Sequence, residues 1–146
     1  MTNVGFQPKM VINTFAIIAI LFREPGWEVI VSAMEQDPIR LLAMPSALEL
    51  HRILEARLGD QGERELEVFL RKSDIRKVAL DECQLKWARI AFHKFGKGRH
   101  PAELNFGDCF SYALAKAMGE KLLFKGQGFS HTDVEPMFAN CGLILT

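Results

Sequence analysis

The chain has 146 residues, 49% of them hydrophobic, and its 18 basic and 18 acidic residues cancel. This length and composition predict one domain with a continuous core. The charge balance excludes a global positive field that would attract nucleic acid, so any RNA contact would need a local patch. The three cysteines include no C-x-x-C pair, which argues against a disulfide framework or zinc site and favours a reducing cytoplasm.

Short apolar runs alternate with helical patterns along the chain. We predict strands at 9–12, 40–44, 75–80 and 122–124, and a short edge strand at 134–137. Helices are predicted between them at 16–21, 25–34, 45–58, 60–72, 82–95 and 106–118. This alternation predicts right-handed crossovers and a three-layer α/β/α sandwich around a parallel sheet of four to five strands.

The predicted domain spans residues 9–137, with a lead-in segment at 1–8 and a tail at 138–146. The apolar stretch 11–22 lacks a cleavage pattern and is too short to cross a bilayer, so we interpret it as core. On the helix that follows Asp81, Leu85, Ala88 and Phe92 are predicted to face inward.

The stretch 105–126 organises the rest of the prediction, because it joins a loop, a buried helix, a turn and a strand. Gly119 stands where a left-handed cap would end the helix. Asp108 lies in the first turn, three residues after Asn105, and that spacing has two interpretations. The pair can form a capping box, or Asp108 can serve as a catalytic or metal-binding carboxylate. Spacing alone leaves both open.

Polar residues follow several of the predicted strands. Asn13 and Thr14 end the first strand, Glu49 lies in the helix after the second, Asp108 opens the organising helix, and loop 127–133 follows the fourth. Ligands of parallel sheets bind beyond the carboxyl ends of the strands. No G-x-G-x-x-G or G-x-x-x-x-G-K-[ST] fingerprint occurs, so no nucleotide cofactor is expected.

Three segments together resemble the PIN-domain family, and within it the VapC toxins of bacterial toxin–antitoxin pairs. They read MVINTFAIIAILFREPGWE, PSALELHRILEARLG and FGKGRHPAELNFGDCFSYALAKAMGEKLLFKGQGFSHTDV. The resemblance implies a cytoplasmic endoribonuclease that uses Mg²⁺ or Mn²⁺ to hydrolyse RNA phosphodiesters. It also implies a VapB-type antitoxin that blocks the acidic pocket, and either a homodimer or a larger assembly with the antitoxin.

The resemblance places the family's acidic site at four positions, of which this chain keeps two. Glu49 and Asp108 are the retained acids, whereas Asn13 and Gly128 stand where the family has aspartates. Asn13 keeps an amide oxygen but loses a charge, so we expect a weakened metal site built from Asp108, Glu49 and Asn13. The alternative is a catalytically silent protein that keeps the fold and binds an antitoxin or RNA.

Two further residues are candidates for the same site. Asp133 could replace a missing metal ligand, or it could stabilise its turn together with Thr132. Thr14 could position a water molecule, or it could cap the first helix.

Loop 96–101 holds the better-placed of two basic stretches. We predict RNA-phosphate contacts there by Lys97 and Arg99, with a solvated surface as the alternative. The other stretch contains Arg71, Lys72, Arg76 and Lys77, and neighbouring acids favour a solvated surface for it.

Overall fold

A computed structural model describes residues 7–137, which fold around a four-stranded parallel sheet. The strands are β1 (Lys9–Ile12), β2 (Ile39–Ala43), β3 (Ile75–Val78) and β4 (Lys121–Leu123). The helices are α1 (Thr14–Leu21), α2 (Trp27–Met34), α3 (Met44–Leu58), α4 (Gln61–Lys72), α5 (Glu82–Phe95) and α6 (Phe106–Met118). A 3₁₀ turn follows at Gly128–His131. Residues 1–6 of the predicted lead-in segment 1–8, and the predicted tail 138–146, lie outside the described residues.

The strand order is β3-β2-β1-β4, so β1 and β2 are the central strands. The strand predictions are confirmed, although β3 ends at Val78 because its register with β2 ends at the pair Ala43 and Val78. The predicted edge strand is wrong in extent, since 134–137 contributes a single bridge between Leu122 and Pro136. The central position of β1 places its carboxyl end near the middle of the sheet edge.

Helices cover both faces of the sheet, as the three-layer prediction requires. Successive side chains of a strand point to opposite faces. Met10 and Ile12 accordingly join a cluster that includes residues of α1, α2, α3 and α4. Val11 joins a second cluster with residues of α5 and α6, among them the fully buried Leu114. Within residues 7–137, no helix is long and apolar enough to cross a membrane.

The inward prediction for α5 is correct for Ala88 and wrong for two larger residues. Leu85 is 39% exposed and Phe92 is 53% exposed, because α5 reaches the core through Ala88, Ala91 and Phe95 instead. The apolar spacing of a helix therefore gave the right element and the wrong width of its buried face.

Both ends of α6 form as predicted. The Asn105 side chain accepts a hydrogen bond from the Asp108 N–H at 2.8 Å, and the Asp108 carboxylate accepts one from the Asn105 N–H at 3.0 Å. This is a complete capping box. Gly119 ends the helix at φ 65°, in the left-handed region that glycine adopts without steric cost. The start of α6 is thus fixed by hydrogen bonds at the site that Asp108 occupies.

Gly62 provides a test of how α3 and α4 pack. A Cβ at this position would lie 2.7 Å from the Leu54 carbonyl carbon and oxygen of α3. Replacing a helical glycine with alanine ordinarily raises the free energy of unfolding by up to about 1 kcal/mol, because alanine has the higher helix propensity. We expect Gly62→Ala to lower the unfolding free energy by about 1–3 kcal/mol in urea titration, because the helices must move apart. The exposed Ser32→Ala on α2 is the control, and an equal or stabilising effect at Gly62 would contradict the packing.

Candidate active site

Asn13 lies at the carboxyl end of β1 with its side chain fixed by hydrogen bonds at both ends. Its Oδ1 accepts from the Phe15 N–H at 3.1 Å and so caps α1. Its Nδ2 donates to the Ser111 Oγ of α6 at 3.1 Å, and the residue is only 1% exposed. Since the helix cap requires an acceptor, the amide oxygen is committed to Phe15. The amide nitrogen is the end that faces α6.

This orientation bears on the predicted metal-ligand role of Asn13. An amide binds a cation through its oxygen, and that oxygen already accepts the Phe15 N–H. Asn13 meets Asp108 as a hydrogen-bond donor, which lowers the pKa of that carboxyl. The geometry therefore supports Asn13 as a polar neighbour of Asp108, while ligation by its oxygen stays a prediction.

Asp108 is a carboxylate whose surroundings disfavour its charge. Burial is the largest cause that raises its pKa, and the nearby charge of Glu49 raises it further. Hydrogen bonds from the Asn105 backbone and the Asn13 side chain act in the opposite direction, and the pKa rises from its ordinary 3.8 to about 6. Asp108 is thus both a member of the capping box and an acid whose charge is disfavoured next to Glu49. The capping interpretation is confirmed, and the catalytic or metal-binding role stays a prediction.

Glu49 approaches Asp108 from α3 and lines a neighbouring groove with Gly107, outside the cavity that Asn13 and Asp108 share. Its Oε1 is buried and, within residues 7–137, has no hydrogen-bond partner. A buried carboxylate oxygen without a partner is costly, and a cation would relieve that cost. The carboxylate packs against Gly107, where an added Cβ would overlap its atoms. Gly107 is a functional position that sequence reasoning missed, although its place just before Asp108 was visible.

A cavity of about 430 Å³ opens beside Asn13 and Asp108. Its lining includes Gly128, where an added Cβ would lie 2.9 Å from the Ala102 carbonyl oxygen. A side chain at 128 would therefore require the 102 backbone to move. Thr14 is fully buried beside β1, and its Oγ1 has no hydrogen-bond partner among the described residues. Asn13 rather than Thr14 caps α1.

Asp133 lies apart from this cavity lining. Its Oδ1 accepts a hydrogen bond from the Tyr112 hydroxyl at 2.6 Å, and its Oδ2 pairs with the Lys116 Nζ at 3.2 Å. Both oxygens thus bind residues of α6. Thr132 forms the predicted turn contacts, with its Oγ1 donating to the Phe129 carbonyl and accepting the Val134 N–H. Asp133 therefore joins its loop to α6, while Thr132 stabilises the turn, and a metal-ligand role for Asp133 stays a prediction.

The predicted RNA contacts, Lys97 and Arg99, are both exposed in the loop between α5 and α6. Arg99 stacks over the Phe92 ring at 5.2 Å, with its Nη1 3.5 Å from the His93 Nδ1. Neither residue lines the cavity, but Ala102 and Glu103 of the same loop do. The two side chains lie on the surface, outside the cavity lining, and their contact with RNA stays a prediction.

The residues present fit one divalent cation better than two. Within 7–137 no group of three or more His, Cys, Asp or Glu side chains could hold a metal. Glu49 and Asp108 remain as an interacting pair with one partnerless oxygen. Mg²⁺ binds through one or two carboxylates when water and substrate phosphates complete its shell. The pair meets that minimum.

The fold and this acidic pair define an α/β protein with its candidate site beyond the carboxyl ends of a parallel sheet. The PIN domain model matches residues 10–135. The chain is 49% identical over 125 residues to Ribonuclease VapC of Mycolicibacterium smegmatis, covering 86% of this chain and 97% of that protein. Ribonuclease VapC42 of Mycobacterium tuberculosis is 39% identical over a match that covers 87% of this chain and 98% of that protein. The chain therefore belongs to the PIN domain family and, within it, to the VapC ribonucleases.

Solved structures agree on the fold at low sequence identity. VapBC-1 from nontypeable Haemophilus influenzae superposes with a TM-score of 0.68 at 16% identity, covering 89% of this chain and 97% of that chain. Mycobacterium tuberculosis VapC20, described as a sarcin-ricin loop cleaving toxin, superposes with a TM-score of 0.63 at 13% sequence identity. The match covers 87% of this chain and 99% of that chain. These likenesses confirm the three-layer α/β/α prediction.

The raised pKa of Asp108 predicts a pH-dependent stability. The folded carboxyl holds its proton up to about pH 6 and the unfolded one only to about 4, so stability falls as pH rises between these values. We expect Asp108→Asn to raise the unfolding free energy at pH 7 by about 1–2 kcal/mol, with the gain vanishing near pH 4. Urea titrations across this range test it. The control is Asp74→Asn, and a pH-independent effect of Asp108→Asn would contradict the electrostatic argument.

Proposed function

We propose that this chain acts in the cytoplasm as an endoribonuclease toxin that hydrolyses RNA phosphodiesters with Mg²⁺ or Mn²⁺. Its membership of the VapC ribonucleases supports the reaction class. The observation that carries the assignment to a site is the Glu49–Asp108 pair, which shares a repulsive interaction and leaves the buried Glu49 Oε1 without a described partner.

Glu49 and Asp108 are the residues that would hold the cation. When bound, a divalent cation supplies positive charge to the phosphate and lowers the pKa of the attacking water. The capping box holds Asp108 at the start of α6, and Gly107 lets the Glu49 carboxylate approach that turn. Asn13 donates toward Asp108 and so steadies its anionic form. Thr14, buried beside them, offers a hydroxyl for a water or a substrate oxygen.

Two features favour weakened activity over that of a site with four acids. Asn13 contributes no charge, and its oxygen caps α1. Gly128 packs close to the Ala102 backbone and presents no ligand. A catalytically silent protein that binds an antitoxin or RNA is the second candidate, and the same two positions are its support.

The loop residues Lys97 and Arg99 are proposed as contacts to RNA phosphates outside the cavity. Both are exposed next to Ala102 and Glu103, which form part of the cavity wall. Phosphate contacts of this kind position RNA without reading its sequence.

A VapB-type antitoxin is proposed as the protein partner. The Haemophilus influenzae neighbour is a VapBC structure, and a toxin–antitoxin complex from Klebsiella pneumoniae has the same fold, with a TM-score of 0.63. An antitoxin segment that entered the cavity would compete with RNA for the same residues.

We also propose a homodimer that covers an apolar surface around the start of α6. Phe106 is 75% exposed and Leu48 is 70% exposed, and they line a common groove with Phe110. A second groove of about 650 Å³ continues from Phe106 and Phe110 to Leu85 and Phe92 of α5. Contiguous exposed apolar patches of this kind mark protein interfaces.

The cleavage assignment is tested with purified protein and a structured RNA, with Mg²⁺ or Mn²⁺ added over a range of concentrations. We expect Glu49→Gln to lower cleavage by at least about 100-fold, since a single carboxylate remains for the cation. Asn13→Asp should raise cleavage and lower the metal concentration required, because a third carboxylate joins the pair.

A second readout separates metal binding from activity. Mn²⁺ should raise the melting temperature of the native chain and raise it further in Asn13→Asp, but not in Glu49→Gln. Asn13→Asp is preferred to Gly128→Asp, because position 128 lacks room for a side chain. If the native chain neither cuts RNA nor responds to Mn²⁺, the ribonuclease proposal fails and the silent candidate stands, whatever Asn13→Asp does.

The dimer proposal predicts a change in mass when Phe106 becomes polar. Phe106→Ser should give a monomer by size exclusion with light scattering, since the substitution removes an exposed aromatic from the centre of the apolar surface. Met118→Ser is the matched control, because Met118 is a 40% exposed apolar residue at the other end of the same helix. A monomeric native chain, or equal loss in both variants, would contradict the proposed surface.

A further inference from the structure

The ion pair between Lys125 and Glu24 joins two loops at the rim of the site cavity. The Lys125 Nζ lies 2.7 Å from the Glu24 Oε1, and the two side chains are 27% and 30% exposed. Lys125 is the second residue after β4, and Glu24 lies between α1 and α2. Both residues line the cavity that Asn13 and Asp108 share.

The charge of the cavity wall makes this lysine distinctive. Among the described residues that line it, Glu24, Glu103 and Asp108 carry carboxyl groups and Lys125 carries the ammonium. An RNA phosphate that entered this space would be repelled by the carboxylates. A positive charge inside the wall is what an anionic substrate requires.

The backbone on either side of Lys125 is held by packing and by a turn. The preceding Phe124 is 2% exposed, and its ring packs 5.3 Å from that of Phe129 across the loop. Gly126 turns the chain immediately afterwards, with φ 89°. The lysine therefore projects from a fixed end of β4, and its tip is steered by Glu24.

We propose that Lys125 is a substrate-positioning residue that binds a backbone phosphate of RNA in this cavity, and that Glu24 holds its ammonium in place before RNA arrives. The inference rests on the proposed ribonuclease function and names one contact of that site. A half-exposed ion pair is weak, so the ammonium can turn to a phosphate when one enters. The cavity volume of about 430 Å³ lies in the range of small-ligand sites and accommodates part of a nucleotide.

The test measures RNA binding without metal, using fluorescence anisotropy of a short labelled single-stranded RNA in EDTA at several salt concentrations. Lys125→Gln should weaken binding about tenfold at low salt, as expected for one charged hydrogen bond. It should also flatten the dependence of log K on log salt by about 0.7, the value for one phosphate contact to a single strand. Lys125→Arg should retain most of the RNA affinity and most of the salt dependence, because it keeps the positive charge.

Lys77→Gln is the matched control. Lys77 forms a similar ion pair with Glu67 at 2.8 Å, is 34% exposed and lies outside the cavity lining. Its loss should leave RNA affinity and the salt dependence unchanged. Equal effects of Lys125→Gln and Lys77→Gln would overturn the proposal.

Glu24→Gln distinguishes a role of Lys125 in RNA binding from a purely structural role of the ion pair, which joins two loops. It breaks the ion pair but leaves the ammonium, so RNA binding and its salt dependence should persist. If Glu24→Gln and Lys125→Gln lost RNA binding equally, the pair would be a tie between loops and the proposal would be wrong. Unchanged RNA binding with a lost antitoxin complex would assign Lys125 to the protein partner and also overturn it.

These outcomes are distinct from failure of the ribonuclease function. A native chain that binds RNA through Lys125 but never cuts it would sustain the contact and refute the enzyme. A native chain that cuts RNA, with a Lys125→Gln variant that binds RNA normally, would sustain the enzyme and refute the Lys125 contact. A native chain that fails to bind the RNA overturns the contact.

Discussion

The repulsion between two half-buried carboxylates is the constraint on which this site depends. Glu49 and Asp108 come from different helices and are brought together as the helices pack on the sheet. Several local features make that proximity tolerable. The Asn105 N–H donates to the Asp108 carboxylate in the capping box, the absence of a side chain at Gly107 admits the Glu49 carboxylate, and Asn13 adds a donor. Each of these features reduces the cost of keeping negative charge at this position.

Asp108 illustrates how stability and function can share one residue. Its contacts to Asn105 satisfy backbone groups at the start of α6, as at any well-capped helix. Its burial beside Glu49 meanwhile disfavours the ionised form. The helix gains order from a side chain whose charge costs folding free energy at neutral pH. Strained acids of this kind concentrate at functional sites, because the strain is relieved by a ligand.

The sequence predicted what depends on neighbours along the chain. The β1 and α6 boundaries, the capping box and the Gly119 end follow from local spacing, and they hold. Prediction failed where distant segments decide. Leu85 and Phe92 are exposed because the small Ala88 and Ala91 carry the contact between α5 and its neighbours.

Contacts between distant residues were hidden for the same reason. The pairing of Asp133 with Tyr112 and Lys116, and that of Glu24 with Lys125 across 101 positions, required the fold itself.

The hydrogen bonds of Asn13 have a consequence for how this site can evolve. A carboxylate at that position could accept the same Phe15 N–H, and the Ser111 hydroxyl could reverse its role from acceptor to donor. Since Asn and Asp codons differ by a single base, the acidic form lies one mutational step away, and selection could recover or discard the charge while the fold stays the same.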